Sequence, residues 1–184
     1  DPTQSANTMN QLYVDSMEAA VQRLEGEAES VTGVVVASAK KTFFAGGDLR
    51  DMTRATKENA PAVFALAARV TASLRKLARF PTPVAAALNG AAPGGGYEIT
   101  LACNHRVAAV GRYVIGLPEA TVGLLLGGGG VIRLVRMLGV FSARLDVLLH
   151  VARLKPAAAP EKGLIDEAVA STGDLIPRAE EHMS

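Results

Sequence analysis

Two glutamates carry the most chemical promise in this sequence. Glu98 follows the run Gly94-Gly95-Gly96 and Glu119 follows Gly116-Leu117-Pro118, so each carboxylate comes after a tight turn of small residues or proline. A pair of carboxyl groups can give and take protons within one site. The glycines ahead of Glu98 add a second capability. Glycine at a helix start allows close backbone approach and leaves unpaired N–H groups at the positive end of the helix dipole. Such a place suits an oxyanion or a phosphate. Upstream, the loop Ala45-Gly46-Gly47-Asp48 also follows an apolar strand, and two such loops can supply two facing N–H donors. The same features have a plain structural reading, because glycine-rich turns are common in α/β proteins and surface glutamates are mostly solvated.

The elements that must position these residues are legible from periodicity. Within residues 83–130, the apolar run 84–88 leads through Asn89-Gly90 and a loop of small residues into a helical pattern carrying Ile99, Leu101 and Ala102. Val34, Val35 and Val36 form a buried-type strand without alternation, as expected where helices cover both faces of a parallel sheet. Met9, Leu12, Tyr13, Met17, Ala20, Val21 and Leu24 recur at three and four, which predicts an amphipathic helix. A second spans 58–79, with Pro61 near its start and Val63, Ala67, Val70, Leu74 and Leu77 on one stripe, and the segment Phe80-Pro81-Thr82-Pro83 ends it. Residues 127–130 read as a turn into a helix over 131–138. They lack the Lys-Ser/Thr ending of a phosphate-binding loop and the spacing of a dinucleotide fingerprint. Further helices are expected over 142–149 and 156–162, and Arg133 and Arg136 read as solvated or salt-bridged.

Composition excludes several classes. The chain has 184 residues, 49% hydrophobic and 20% charged, enough for one domain with a substantial core. A formal net charge of +1 gives no electrostatic case for nucleic acid, and no apolar run is long enough to span a bilayer. No targeting segment is recognisable. The single cysteine, Cys103, lies in an apolar passage and reads as a buried structural thiol; it excludes an internal disulfide. His105, His150 and His182 stand apart without ligand spacing or a Gly-x-Ser-x-Gly elbow, so they read as structural or exposed, and no metal site is expected.

The ordered segments FFAGGDL, ALNGAAPGGGYEITLA and GLPEATVGLLLGGGGVIRL resemble the enoyl-CoA hydratase/isomerase (crotonase) superfamily over roughly residues 7–170. The wording is most similar to the N-terminal hydratase region of multifunctional fatty-acid-oxidation α-subunits. The resemblance implies an α/β crotonase-like spiral of repeated strand-strand-helix units in one domain. Against that pattern, which the chain matches from Asn7-Thr8-Met9, the N-terminal hairpin and the C-terminal helices that cover the acyl site are expected to be missing from these residues.

What the resemblance implies about roles is specific. Glu98 and Glu119 match the two catalytic glutamates, and Gly47 and Gly95 match the oxyanion-hole donors. Lys41, Ala45 and Leu117 fall where substrate is held, with Lys41, and Arg50 beside it, placed to meet coenzyme A phosphates. Asp48 reads as a helix cap that braces its loop. The implied activity is trans-2-enoyl-CoA hydration in fatty-acid β-oxidation. A Δ3-Δ2-enoyl-CoA isomerase on the same scaffold and a non-catalytic acyl-CoA-binding module are the alternatives. Coenzyme A enters as part of the substrate, with no separate cofactor. A trimer-like homo-oligomer, or a fusion or complex with dehydrogenase and thiolase components, would be the assembly, in bacterial cytoplasm or mitochondrial matrix. Three departures stand out: Pro93 replaces the usual aliphatic residue before the glycines, Leu126 replaces a proline, and the register over 110–114 fits the pattern awkwardly, as it would with residues missing there or with a short loop, Arg112 and Tyr113 being unassigned.

Overall fold

Helices separate the main parallel strands along the chain, because the interior strands are too apolar to leave either face in water. The computed structural model describes residues 2–124, 127–143 and 154–183. Leu126, most of the helix expected over 142–149, and His150 lie outside the described residues. Four strands, β1 (Val34–Ala37), β2 (Val84–Leu88), β4 (His105–Ala109) and β6 (Glu167–Val169), pair in the order β1-β2-β4-β6. All three pairings are parallel, with Val34 opposite Val84, Ala85 opposite His105 and Val107 opposite Glu167. A second small sheet joins β3 (Ala92–Pro93) to β5 (Ile115–Gly116), also in parallel.

The central strand β2 explains why the run shows no hydrophobic alternation. Every one of its residues is buried. Val84, Ala86 and Leu88 face one cluster with Leu74, Tyr97, Leu134 and Leu164, while Ala85 and Ala87 face a second with Val107, Leu175 and Ala179. Period-two geometry thus splits one apolar run between two cores. Each fully buried Leu or Val on these faces contributes about 1.5–3 kcal/mol. The expectation for β1 needs correction: Val34, Val35 and Val36 are only half-buried, because among the described residues β1 forms the sheet edge.

Helices α1 (Gln11–Gly26) and α3 (Ala60–Leu77) lie side by side. Asn10 caps α1 through the Tyr13 N–H, and Pro61 opens the first turn of α3. Arg69 of α3 ties the two together, with Nη2 2.7 Å from Asp15 and 2.6 Å from Glu18. These exposed pairs contribute about 0.2–1 kcal/mol each. On α3 only the C-terminal part of the predicted stripe reaches the core, since Val70, Leu74 and Leu77 are buried whereas Val63 and Ala67 are exposed.

The remaining helices are α2 (Leu49–Thr53), α4 (Gly95–Leu101), α5 (Gly130–Ser142) and α6 (Leu175–Glu181). α6 covers β2 and β4 on the face away from α4. α5 is broken at Gly139, where φ is 79° and ψ 163°. The helix expected over 156–162 is a single 3-10 turn, Pro156–Ala158, followed by turns. Two histidines do not stand apart: His105 on β4 and His182 after α6 stack with ring centroids 3.7 Å apart. Tyr113 also gains a role, its one hydroxyl hydrogen lying within reach of both the Leu88 and the Ala109 carbonyls and so closing the 110–114 loop onto both strands. Among the described residues no helix is long and apolar enough to cross a membrane.

Candidate active site

The site is built at the C-terminal end of β2. After Leu88 the chain turns through Asn89, whose Nδ2 donates to the Ser38 and Lys40 carbonyls at 3.3 and 2.5 Å, and so fastens the two strand-end loops together. It then passes through β3 and enters α4 at Gly94, with φ 57° and ψ −125°, a conformation that disfavours any side chain. The Gly94 N–H donates to the Gly116 carbonyl at 2.8 Å, which brings the β5 turn and Glu119 to the start of α4. Gly96 is required for another reason. A Cβ there would overlap the Phe44 carbonyl oxygen, so the two loops meet backbone to backbone.

Glu98, in the first turn of α4, is 3% exposed. Its Oε2 accepts from the Gly128 N–H at 2.9 Å and its Oε1 from the Gly130 N–H at 2.8 Å. Burial raises its pKa above the ordinary carboxylate value, while these two donors and the Arg133 charge pull the other way. Glu119 opens the 3-10 turn Glu119–Val122, directly after Pro118. Its Oε1 lies 2.5 Å from where a Cβ on Gly94 would be, and its Oε2 is buried with no hydrogen-bond partner among the described residues. Burial, with a smaller contribution from the Glu98 charge, raises the pKa of Glu119 to about 7. The structure therefore sets Glu119 against the first turn of the helix that carries Glu98.

The second loop is held by the chain's N-terminal segment. The Ala45 N–H donates to the Asn7 carbonyl at 2.7 Å and the Met9 N–H to the Gly46 carbonyl at 2.8 Å. Gly46, at φ 86°, lies so close to β3 that a Cβ would sit 2.9 Å from the Pro93 carbonyl oxygen and 3.6 Å from the Gly95 nitrogen. The two glycine loops are thereby neighbours. Neither the Gly47 nor the Gly95 N–H donates in the loop and cap hydrogen bonds among the described residues. Asp48 caps α2, its Oδ1 accepting from the Arg50 N–H at 3.0 Å. A cavity of about 510 Å3 opens beside this loop, lined in part by Thr8, Ala45, Gly47, Asp48 and Arg50. Glu98 and Glu119 do not line it.

The other expected contacts differ in accessibility. Lys41 and Ala45 are exposed, whereas Leu117 is 1% exposed, against Gly130 in the core. Cys103 is buried, its thiol pushed up to about 12 by desolvation. Among the described residues no group of three or more His, Cys, Asp or Glu could hold a metal ion.

Three neighbours escaped the sequence reading. The Met9 thioether sulfur lies 2.5 Å from where a Cβ on Gly95 would be, and the end of the Met52 side chain occupies the same place over Gly47. Periodicity gave Met9 only to a helix face, yet it precedes α1 and bridges in parallel to Gly47. Arg133 is half-buried rather than solvated, and its Nη1 donates to the Gly128 carbonyl at 2.6 Å. A signal for it was available: a long side chain in a helix's first turn points back over the preceding loop.

A parallel sheet whose strand-end loops gather two glycine turns and two partly dry carboxylates defines an α/β protein with the crotonase fold. The chain belongs to the enoyl-CoA hydratase/isomerase family, whose model matches residues 1–183. It is similar to the fatty acid oxidation complex subunit alpha of Shewanella halifaxensis, 36% identical over 170 residues that make up 91% of this chain and 23% of that protein. The subunit of the same name from Acinetobacter baylyi is 33% identical over 91% of this chain and 23% of its own length. The chain thus spans about a quarter of the length of these relatives. Among solved structures, an enoyl-CoA hydratase of Bacillus anthracis superposes with a TM-score of 0.86 at 29% identity, covering 97% of this chain and 67% of that one. An enoyl-CoA hydratase from Polaromonas reaches 0.77 at 31% identity, over 92% of this chain and 64% of its own.

Proposed function

We propose that this chain hydrates trans-2-enoyl-CoA thioesters to 3-hydroxyacyl-CoA, with Glu98 and Glu119 as the catalytic pair. The observation that carries the reading is the unlike setting of the two carboxylates: Glu98 receives two N–H donors, whereas Glu119 keeps a buried, unpartnered Oε2 and holds its proton to about pH 7. Donors aimed at both oxygens favour the anion, and an oxygen without a donor favours the acid. In hydration the water oxygen bonds to Cβ and its proton passes to Glu98, while the Cα=Cβ electron pair closes on the proton that Glu119 releases to Cα. The Gly47 and Gly95 N–H groups would receive the thioester oxygen as enolate charge develops. Ala45 and Leu117 would border the substrate and Lys41 would meet a phosphate of coenzyme A, which is part of the substrate rather than a separate cofactor. Assembly with dehydrogenase and thiolase components, or as a homo-oligomer, belongs to this reading, as does work in the bacterial cytoplasm or mitochondrial matrix on fatty-acid β-oxidation.

The test is the loss of enoyl-thioester ultraviolet absorbance with crotonyl-CoA and with a long-chain trans-2-enoyl-CoA, using Glu119→Gln as control. Loss by the parent chain that disappears in the control supports hydration. The same free Oε2 on Glu119 supports a second reading, Δ3-Δ2 isomerisation, in which one carboxyl shuttles one proton. Conversion of a 3-enoyl-CoA that persists in Glu98→Gln would replace hydration by isomerisation. Tight acyl-CoA binding without either conversion would leave only a binding module.

A further inference from the structure

The turn that holds Glu98 is made of glycine and has no side chains to fix its shape. Residues 127–130 are all glycine, and two of their N–H groups bind one buried carboxylate. A free glycine run samples many conformations, so something outside it must hold those donors in place. Two side chains do so. Thr71 Oγ1 on α3 lies 2.9 Å from the Gly127 carbonyl oxygen, and Arg133 Nη1 on α5 donates to the Gly128 carbonyl at 2.6 Å. Gly128 is therefore gripped at both ends, its N–H by Glu98 and its carbonyl by the guanidinium. The guanidinium also lies over Gly129, 2.7 Å from where a Cβ would be.

We infer that Arg133 is a positioning residue of this site: by gripping the Gly128 carbonyl it keeps two N–H donors on Glu98 and holds that carboxylate as the fixed acceptor of the pair. The inference rests on the proposed roles of the two glutamates. Its electrostatic setting agrees. Glu98 is faced by Glu119 from the 3-10 turn, Tyr13 from α1 and Arg133 from α5. Arg133 in turn is faced by Glu98, Cys103, Arg136 and, from α3, Arg75. Among the described residues Arg133 is the cation that acts on Glu98, and it reaches Glu98 both through space and through the Gly128 backbone. Burial costs the guanidinium some of its basicity, as for a charge placed inward for a purpose other than solubility.

The decisive measurement is a carbon NMR titration of the Glu98 carboxyl in the whole chain, assigned with Glu98→Gln, for the parent, Arg133→Met and Arg133→Lys. The Glu98 midpoint should rise by about one pH unit in Arg133→Met, where donor anchor and charge are both gone. Arg133→Lys should recover part of the shift, because an ammonium restores charge but not the planar fork. Turnover of crotonyl-CoA should fall about 10–100-fold in kcat with KM little changed. Where Arg133→Met does not fold, Arg133→Gln serves, since it keeps a donor and removes the charge. A folded variant whose Glu98 midpoint matches the parent's overturns the inference. The titration needs no turnover, so the two readings fail separately. A moved midpoint in a chain that converts no enoyl-CoA sinks the hydratase reading alone, and an unmoved midpoint in an active chain sinks the positioning role alone.

Discussion

The two glycine runs of this molecule look alike in sequence and work in opposite directions. Residues 94–96 open the helix that carries Glu98, yet the carboxylate resting against Gly94 is that of Glu119. Residues 127–130 follow Glu119 in the chain, yet their N–H groups bind Glu98. Each run serves the other's glutamate. The difference lies in what encloses them. The first run is packed at each residue, Gly94 against the Glu119 carboxylate, Gly95 under Met9 and Gly96 against the Phe44 backbone, whereas the second donates two hydrogen bonds to Glu98 and is held through its own carbonyl by Arg133. A glycine run can thus be a close-packed joint or a polar clamp, and its neighbours decide which.

The largest test of this crossed arrangement removes the carboxylates. Glu98→Gln and Glu119→Gln should each lower hydration by about 10²–10⁴-fold with the fold retained, read by crotonyl-CoA turnover beside circular dichroism. Turnover within a few-fold of the parent in either variant would show that the pair is not catalytic.

The clamp can be broken without touching a carboxylate. A Cβ from Gly128→Ala would sit 2.6 Å from Glu98 Oε2, so the side chain must leave its two donors. We expect turnover to drop about 10–100-fold while stability changes little. Gly96→Ala should do the reverse. Its Cβ runs into the Phe44 carbonyl, which cannot swing aside, so the chain should lose about 1–3 kcal/mol of stability in urea unfolding. If both substitutions affected stability and turnover alike, the distinction between joint and clamp would be wrong.

A subtler consequence follows from the proton on Glu119. Its pKa rises from an ordinary 4.5 to about 7 in the folded chain. The folded form therefore binds this proton more tightly than the unfolded one. That contribution to stability is complete below pH 4.5 and is lost as pH rises through 7. Glu119→Gln should make stability less dependent on pH across that window, measured by urea unfolding at about pH 5 and about pH 8. An unchanged dependence would mean that Glu119 ionises normally. The smallest effect is expected at Gly123, which has φ 71° and open space around it. Gly123→Ala should cost only about 1 kcal/mol, the backbone penalty alone.

Much of the fold was legible in the residue order. Runs of Val and Ala bounded by Asn-Gly or Pro, alternating with three-and-four periodicity, yield a parallel sheet with helices on it. Asp48 as a cap and Cys103 as a buried thiol were readable from their immediate neighbours. Less legible were features that depend on a partner far along the chain. Met9 over Gly95, Arg106 paired with Asp166 at 2.7 Å, Tyr97 donating to the Leu164 carbonyl at 2.6 Å and the stacked His105 and His182 each join segments that no local pattern links. The half-buried β1 and the exposed Val63 and Ala67 belong here too, because periodicity marks an apolar face without saying what covers it.

The sequence by itself singled out the residues suited to the proposed chemistry: two glutamates each placed after a tight turn, and glycines where backbone must approach backbone. Those are properties of side-chain type and of short-range spacing. Only the tertiary structure decided that the glycine run before Glu98 would meet Glu119, that the run after Glu119 would hold Glu98, and that Arg133 would turn inward to grip it. A hydrogen bond takes its geometry from two elements at once, and the sequence lists those elements separately.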